Sequence, residues 1–229
     1  MKSRYSNLEA KQVPRVMSQL YLRVIAMLLR GIALKPFLGR SGGPVLVGRG
    51  TRVKNPQFLC HSGRLIIEDF AEIQCLSLRG VVLGKDVSLG RNVQIRPSGY
   101  YGGRVGTGLV IGDRSSMGPD GYIGCSGLIT IGNDVMMGPG VRIFGENHVF
   151  SDASDSIKGQ GVQWSAVSIE DDCWIGSGVT ILAGVTVGAG TVIAAGSVVT
   201  KSIPANSVVA GVPARVLRER VAQATQASR

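Results

Sequence analysis

The sequence predicts a parallel β-helix, a column of short strands that are joined at frequent corners. Composition is the first reason, because 33 Gly and only 5% aromatic residues in 229 suit a repetitive β architecture with little room for large rings. The second reason is an aliphatic residue that returns every six positions. A period of six fits neither a helix face nor a simple alternating strand. It fits a β-helix in which each six-residue side holds one strand and one corner, and three sides complete a coil.

The repeat is clearest in the C-terminal half of the chain. The aliphatic residues expected to point into the column are Ile169, Ile175, Ile181, Val187, Ile193 and Val199. Four residues after each stands a small or β-branched residue, namely Cys173, Val179, Val185, Thr191, Ser197 and Ile203. The same template recurs upstream, so about six coils are predicted between Ile67 and Pro204. A glycine that follows the aliphatic residue, as Gly176 does, is expected to serve the backbone geometry of the corner.

Composition also excludes several classes of protein and site. Hydrophobic residues make up 44% and charged residues 17% of the chain, which excludes a disordered segment. The glycines follow no Gly-X-Y period, which excludes collagen. The cysteines are widely spaced, without a CxxC pair, so we expect buried thiols in a reducing cytoplasm and neither a zinc site nor a disulfide framework. They are Cys60, Cys75, Cys125 and Cys173.

The net charge of +10 is concentrated at the N-terminus. Residues 1–54 contain eleven Lys or Arg against Glu9 alone, whereas the acidic and basic residues of the remaining chain balance. Such an arm indicates an anionic neighbour, for example a membrane surface or an acidic glycan. Few aromatic residues accompany its cations, which argues against a nucleic-acid partner. No secretory signal is evident, because Arg23 and Arg30 interrupt the apolar run.

Residues 13–34 predict one helix, which Lys35-Pro36 ends. Its basic residues gather on one side, and its remaining surface is largely apolar. Two placements are open at this point. The helix can cap the exposed end of the column, or it can lie in a membrane interface beside anionic lipids. With Arg23 and Arg30 inside, it is a poor spanning segment.

Two interruptions of the repeat predict loops over residues 96–110 and 149–168. A solenoid carries its insertions on the outside, often beside the binding face. The predicted organisation is therefore a basic N-terminal helical segment over residues 1–54, a β-helix with two loops over 55–217, and a short C-terminal tail over 218–229.

The C-terminal half resembles a known family. The runs WIG at 174–176, AAGSVVTK at 194–201 and AGVPARV at 210–216 are similar in order and spacing to those of the left-handed β-helix, hexapeptide-repeat acyltransferases. The similarity is closest to the maltose, galactoside and xenobiotic acetyltransferases and to bacterial polysaccharide O-acetyltransferases. The resemblance implies a left-handed coil, whereas the general preference for right-handed crossovers would predict the opposite. It also implies a homotrimer with sites at the subunit interfaces, acetyl-CoA as acyl donor, and no metal.

His148 is the candidate catalytic base. It stands where the second loop leaves the column, and the resemblance places the family's catalytic histidine in the same Asn-His context. An imidazole can take a proton from a sugar hydroxyl as that oxygen attacks a thioester carbonyl. Glu146 is a candidate for orienting this base or contacting the acceptor, or it is a solvated carboxylate. Asn147 has either an inward structural role or a contact with the acceptor.

The remaining candidates concern the acyl donor and follow from the resemblance. The backbone N–H of Ser177 is the implied donor to the oxyanion. The implied coenzyme A contacts are Trp174, Gly176, Ser177, Ala195, Thr200, Lys201 and Arg215. Their chemistry fits, because small residues let the pantetheine arm lie close and Lys201 and Arg215 offer cations to phosphate.

The function predicted from these observations is acetyl-CoA-dependent O-acetyl transfer to a sugar hydroxyl, on a cell-surface polysaccharide or its precursor. Two alternatives are open, an N-acetyltransferase for amino sugars and a β-helix scaffold without catalysis. A β-helical carbonic anhydrase needs three histidines on zinc, and the chain has only two, His61 and His148. The expected location is the cytoplasm, or the inner face of its membrane.

Overall fold

A computed structural model describes residues 3–97 and 104–221, with side chains of the N-terminal helix from residue 17 onward. It confirms the parallel β-helix. Three sheets form its sides, and we name them A, B and C. The chain visits them in that order in every coil, which stacks each strand on its counterpart one coil earlier.

Each sheet is built from strands of two to six residues. Sheet A contains β1 (Arg40–Ser41), β4 (Leu59–His61), β7 (Val81–Leu83), β10 (Leu109–Ile111), β13 (Ile129–Ile131), β18 (Val167–Ile169) and β21 (Thr186–Val187). Sheet B contains β2 (Val45–Val47), β5 (Leu65–Ile67), β8 (Val87–Leu89), β11 (Ser116–Met117), β14 (Met136–Met137), β19 (Trp174–Ile175), β22 (Val192–Ile193), β24 (Ser207–Gly211) and β25 (Ala214–Glu219). Sheet C contains β3 (Arg52–Lys54), β6 (Glu72–Gln74), β9 (Gln94–Arg96), β12 (Tyr122–Gly124), β15 (Arg142–Phe144), β20 (Thr180–Ile181) and β23 (Val198–Val199).

The core follows the predicted period. The six aliphatic residues from Ile169 to Val199 are at most 1% exposed, and so are five of the six residues that stand four positions later. Register pairs like with like along the column, for example Ile143 with Ile181 and Ile181 with Val199. No coil can bury this apolar surface alone, so the free energy of burial holds the stack together rather than any single coil.

The structure corrects the role expected for the glycine after each aliphatic residue. A Cβ on Gly176 would lie 2.5 Å from the backbone nitrogen of Ala195, in the next coil. Gly176 is therefore required by the close stacking of corners. The left-handed backbone conformation occurs two residues later, at Gly178 with φ +69°, and at the same corner position in other coils Asp and Asn adopt it.

The N-terminal segment contains one helix, α1 (Ser3–Leu34), followed by a 3-10 turn over Lys35–Phe37. It ends where the sequence predicts but begins ten residues earlier than the predicted start at 13, in a stretch rich in helix-forming residues. The β-helix begins at β1 and not at residue 55, so the first coil lies inside the predicted N-terminal segment. A second 3-10 turn, Pro56–Phe58, joins the first coil to the second.

The C-terminal end of the column is closed by a returning strand. β25 pairs antiparallel with β24 and extends two residues past the predicted boundary at 217. Arg220 then donates to the Asp172 carboxylate at 3.0 Å and to the Gly190 carbonyl at 2.9 Å. Residues 222–229 of the predicted tail lie outside the described residues.

The cysteines are free thiols within the column. Cys75, Cys125 and Cys173 are buried, and Cys60 is half-buried. Burial raises the pKa of Cys75 and of Cys125 to about 12, and it also raises the pKa of Cys173. Because a thiolate is the reactive form, the buried three serve packing.

Candidate active site

Most of the candidate residues lie at the edges of the column. There are three such edges, where the chain passes from one sheet to the next. We name them corner AB, corner BC and corner CA after the sheets they join. Both insertions leave the column at corner CA, the first between β9 and β10 and the second between β15 and β18. The second insertion runs over 145–166, so it begins before the predicted 149 and includes His148 itself. For the first insertion, the structure describes residue 97 and residues 104–108 between the two strands.

His148 lies on a β-hairpin that projects from corner CA. Its strands are β16 (Glu146–His148) and β17 (Val162–Trp164), which pair antiparallel. The base of the hairpin is fixed to the column, because the Ser165 N–H donates to the Gly145 carbonyl at 3.0 Å. His148 is exposed at the far end of β16, opposite Val162. A paired strand thus holds the imidazole at the surface, where an acceptor can reach it.

The two neighbours of His148 on β16 differ in exposure. Asn147 is exposed, so the inward structural role considered for it is wrong. Glu146 is half-buried and contributes to the raised pKa of Tyr122, although burial is the larger cause. Glu146 therefore lies close to the aromatic surface of sheet C, while Asn147 faces solvent.

The tip of the hairpin is held by its own polar contacts. It contains the short helix α2 (Ile157–Gln160), whose first turn is capped by the Ser156 side chain, which accepts from the Gly159 N–H. The Gln160 amide donates to the Asp152 carbonyl at 2.8 Å, and Asp152 accepts from Ser154. These bonds to Ser154 lower the pKa of the Asp152 carboxyl.

An aromatic and cationic surface that sequence reasoning missed lies beside the hairpin. The Arg104 guanidinium of the first insertion lies over the Trp164 ring of β17, 4.4 Å from its centroid. On the adjoining outer face of sheet C, the Tyr122 and Phe144 rings lie 5.5 Å apart. The two insertions therefore meet at one corner. The signal for this meeting is that both insertions follow a strand of sheet C. No repeat or spacing in the sequence indicates that Arg104 contacts Trp164.

Ser177 lies at a different corner, BC, between β19 and β20. Its carbonyl accepts from the Gly196 N–H at 2.8 Å. Among the described residues, the Ser177 backbone N–H has no acceptor, and its side chain is exposed. An unpaired backbone N–H at an exposed corner residue is a group that can stabilise an oxyanion.

Of the further acyl-donor candidates, Ala195 and Arg215 lie along this corner, and Trp174 lies on the adjoining outer face of sheet B. Trp174, on the outer face of β19, is 55% exposed and borders a depression of about 250 Å³ together with Met136 and Val192. Ala195 is exposed one coil beyond Ser177. Arg215, on β25, is exposed and pairs with Ala210, the residue that follows the last inward residue of sheet B. Gly176 is buried, and stacking accounts for it as described above.

Thr200 and Lys201 lie at corner CA with His148. The register from Ile143 through Ile181 to Val199 places Lys201 two coils beyond Gly145, about 10 Å along the column. Both side chains are exposed. The candidates thus form two groups, one at corner CA and one at corner BC, and sheet C separates these corners by about 15 Å.

Comparison with known proteins supports the same fold and motifs. A family model described as bacterial transferase hexapeptide (six repeats) matches residues 166–201, the stretch that carries both WIG and AAGSVVTK. The chain therefore contains the hexapeptide repeat of the bacterial transferases over residues 166–201. Among curated relatives, a probable acetyltransferase of Mycobacterium tuberculosis is 32% identical over 74% of this chain and 60% of its own length. A galactoside O-acetyltransferase of Lactococcus lactis is 37% identical over 57% of this chain and 62% of its own length.

The chain spans about half to three-fifths of the length of the curated relatives it matches. Among solved structures, the N-acyltransferase AntD of Bacillus cereus, in complex with dTDP and 3-hydroxybutyryl-CoA, has a TM-score of 0.53 at 20% identity. That alignment covers 82% of this chain and 86% of AntD. The similarity supports the fold, which is the left-handed parallel β-helix of this hexapeptide-repeat family.

Proposed function

We propose that this hexapeptide-repeat protein is an acetyl-CoA-dependent acetyltransferase that acylates a sugar hydroxyl, with His148 as general base. The observation that carries the proposal is the position of His148. It is exposed on a hairpin at the corner where both insertions meet, two coils from Lys201 on the same edge. The names of the two curated relatives, a probable acetyltransferase and a galactoside O-acetyltransferase, support the same chemistry.

In the proposed reaction the acceptor hydroxyl oxygen forms a bond to the acetyl carbonyl carbon while His148 takes the hydroxyl proton. The thioester C–S bond then breaks, and the leaving thiolate of coenzyme A takes that proton from His148. A correctly placed base of this kind is worth roughly 100- to 10,000-fold in rate. The Ser177 N–H stabilises the negative charge on the carbonyl oxygen between the two steps.

The surface at corner BC fits the acyl donor. Ala194 and Ala195 are exposed and small, so an extended pantetheine chain can lie against the column there. Trp174 offers an exposed ring, and Arg215 an exposed cation for phosphate. Lys201, at corner CA, offers a second cation from the opposite side of sheet C.

We propose a homotrimer, because one chain holds the two halves of the site at different corners. A base at corner CA and an oxyanion donor at corner BC cannot act on one carbonyl carbon across sheet C. A neighbouring copy that presents its corner BC to this chain's corner CA completes the site. Closed cyclic symmetry then produces three equivalent sites.

The acceptor side of the proposed site is the surface formed by the hairpin and sheet C. Glu146 and Asn147 precede His148 on β16, and the Tyr122 and Phe144 rings offer apolar faces on which a sugar ring can stack. Arg104 and Trp164 limit its extent on the side of the first insertion. We propose a cell-surface polysaccharide or its precursor as the acceptor, since this open surface suits a chain of sugars.

The test measures thiol release from acetyl-CoA over a panel of sugars, amino sugars, nucleotide sugars and polysaccharide fragments. His148→Ala should reduce turnover by at least about 100-fold while the protein stays folded, trimeric and able to bind coenzyme A. The matched control is Gln163→Ala, an exposed change on the paired strand, which should keep wild-type turnover.

Three other results of this assay would change the proposed function. Near-normal turnover by His148→Ala would mean that another group is the base. Transfer to nitrogen alone would identify an amino-sugar N-acetyltransferase. A trimer that binds coenzyme A but acetylates nothing in the panel would favour a scaffold.

A further inference from the structure

From residue 17 onward, helix α1 turns its two charged residues, Arg23 and Arg30, toward the column and most of its large apolar residues outward. Arg23 donates to the Asp69 carboxylate at 3.3 Å, and Arg30 donates to the Val47 carbonyl at 3.1 Å. Met27 and Gly31 are buried between them, and a Cβ on Gly31 would overlap the Val45 carbonyl. At 100° per residue these residues, with the half-buried Leu34, occupy an arc of about 100°. This side of α1 is therefore fixed to the first coil.

The opposite side of α1 is a continuous apolar surface. Six large side chains lie on an arc of about 120° centred almost directly away from the column. They are between 38% and 66% exposed, and they are Tyr21, Leu22, Ile25, Leu28, Leu29 and Ile32. Of the described side chains on this arc, only Ser18 is polar. An exposed apolar patch of this extent marks an interaction surface, since a helix facing water carries its polar residues outward.

Charge indicates what covers this surface. Residues 1–54 contribute the whole net charge of +10, and in the described part of that segment Lys35, Arg40, Arg49 and Arg52 are exposed. A second copy of the chain would bring the same positive charge to the contact and would be repelled. An anionic lipid surface attracts it, at roughly 1 kcal/mol for each cation near the headgroups.

We propose that the outward side of α1 lies in the interface of an anionic lipid bilayer and anchors the protein there. Residues Met17–Phe37 are long and apolar enough to cross a membrane, and only 11% of the segment is buried. The arginine contacts nevertheless favour a helix lying flat, because a spanning orientation would break the bonds from Arg23 and Arg30 to the column. The bilayer then contacts the first-coil end and leaves the catalytic corners in water.

The two arginines belong to the basic side of the helix predicted from the sequence, and the structure turns this side toward the column. Their guanidinium groups hold the helix to the column, and this contact sets the apolar side outward. Lipid attraction comes instead from exposed cations such as Lys35 and Arg40, which follow the helix directly. The inference concerns anchoring and is independent of the proposed chemistry.

The experiment is co-sedimentation of the full-length protein with vesicles of phosphatidylcholine alone or with about 30 mol% phosphatidylglycerol. We expect wild-type protein to bind the anionic vesicles and the double variant Ile25→Ser/Leu29→Ser to bind at least about tenfold more weakly. The matched control is Leu76→Ser/Leu78→Ser, which removes two exposed leucines near corner CA. This control should bind as wild type.

Solution mass and activity separate the remaining outcomes. The double variant should keep the wild-type mass, thermal melting and turnover on a soluble acceptor, since both changed residues face away from the column. Failure of the wild-type protein to bind either vesicle, or equal binding by the double variant, would overturn the proposal. A wild-type assembly that the double variant splits into smaller units, without vesicle binding, would overturn it in favour of a contact between copies.

Discussion

Ser177 lies one coil beyond Pro139, at the same position of corner BC. The register of β14 with β19 fixes this, and the Gly178 N–H donates to the Pro139 carbonyl at 2.8 Å. Pro119 occupies the equivalent position one coil earlier, where its carbonyl accepts from the Gly140 N–H at 2.8 Å. Proline has no N–H, so Ser177 is the first residue of these three that can donate to a ligand.

This relationship yields a variant that removes the donor N–H and keeps a backbone that the neighbouring corners already adopt. Ser177→Pro should fold normally, because two neighbouring coils already hold a Gly-Pro pair at this corner. We expect its turnover to fall by about 100- to 1,000-fold, the usual cost of losing one oxyanion donor. Ser177→Ala keeps the N–H and should retain most activity. Steady-state kinetics with acetyl-CoA check both, and full activity of Ser177→Pro in a folded protein would assign the oxyanion to another group.

The separation of His148 and Ser177 on two corners predicts complementation between subunits. Trimers of His148→Ala alone or of Ser177→Pro alone should be inactive. After the two proteins are denatured together and refolded in equal amounts, about a quarter of the sites should combine an intact His148 with an intact Ser177 N–H from the neighbour.

Recovered activity near a quarter of wild type is therefore expected from the mixture. The control mixes His148→Ala with itself through the same refolding cycle and should recover nothing. A mixture that stays inactive, although mixed trimers are present by mass, would place both groups of the site in one chain.

Most of the fold is predictable from the sequence, because the repeat has a direct physical cause. Each inward residue must be aliphatic to fill the column, so the period of six is visible without any alignment. The repeat does not reveal the first coil, because β1 holds two residues and a polar one, Ser41, stands at the inward position, in register with His61 and Leu83. The sequence therefore predicts the start of the β-helix at residue 55, whereas its first strand lies at Arg40–Ser41.

The site was only partly predictable for a different reason. His148 stands out because the repeat stops beside it. The corner that it occupies depends on counting coils across two insertions, whose path the repeat does not record. The contact between Arg104 and Trp164 joins both insertions through space, and the outward turn of α1 depends on Arg30 reaching the Val47 carbonyl. Neither contact leaves a periodic signal.

The two glycines that flank Ser177 should respond differently to substitution. Gly176→Ala should destabilise the protein, because its Cβ would meet the Ala195 backbone of the next coil, and backbone cannot move aside without disturbing the stack. Gly178→Asn should cost little, because Asn and Asp adopt the same left-handed conformation at equivalent positions, and a Cβ on Gly178 meets nothing within 4 Å.

Chemical denaturation measures this contrast. We expect Gly176→Ala to lower the free energy of unfolding by about 1–3 kcal/mol and Gly178→Asn by well under about 1 kcal/mol. Equal effects at the two sites would mean that backbone conformation, and not the stacking of corners, sets the requirement for glycine.

His61 predicts a loss of stability in mild acid. Its side chain is buried at an inward position, in register with Leu83. Nδ1 donates to the Gly63 carbonyl at 2.7 Å, which leaves Nε2 to accept from the Ser41 hydroxyl at 2.6 Å. Burial lowers the pKa of His61, and the positive charge of Lys35 adds to this, while the bond to Gly63 acts in the opposite direction.

The direction of this pH dependence is set by proton binding to the unfolded chain. Below pH about 6.5 the unfolded chain binds a proton at His61 while the folded protein keeps this imidazole neutral. The free energy of unfolding therefore decreases as the pH is lowered, until the pH reaches the pKa of His61 in the folded protein. His61→Leu, which copies the neighbouring coil, should flatten the pH dependence of the melting temperature between about pH 7.5 and pH 5, whereas the exposed, non-titrating change Gln163→Ala should keep the wild-type slope. An unchanged slope in His61→Leu would show that other groups, and not this buried imidazole, couple protons to unfolding.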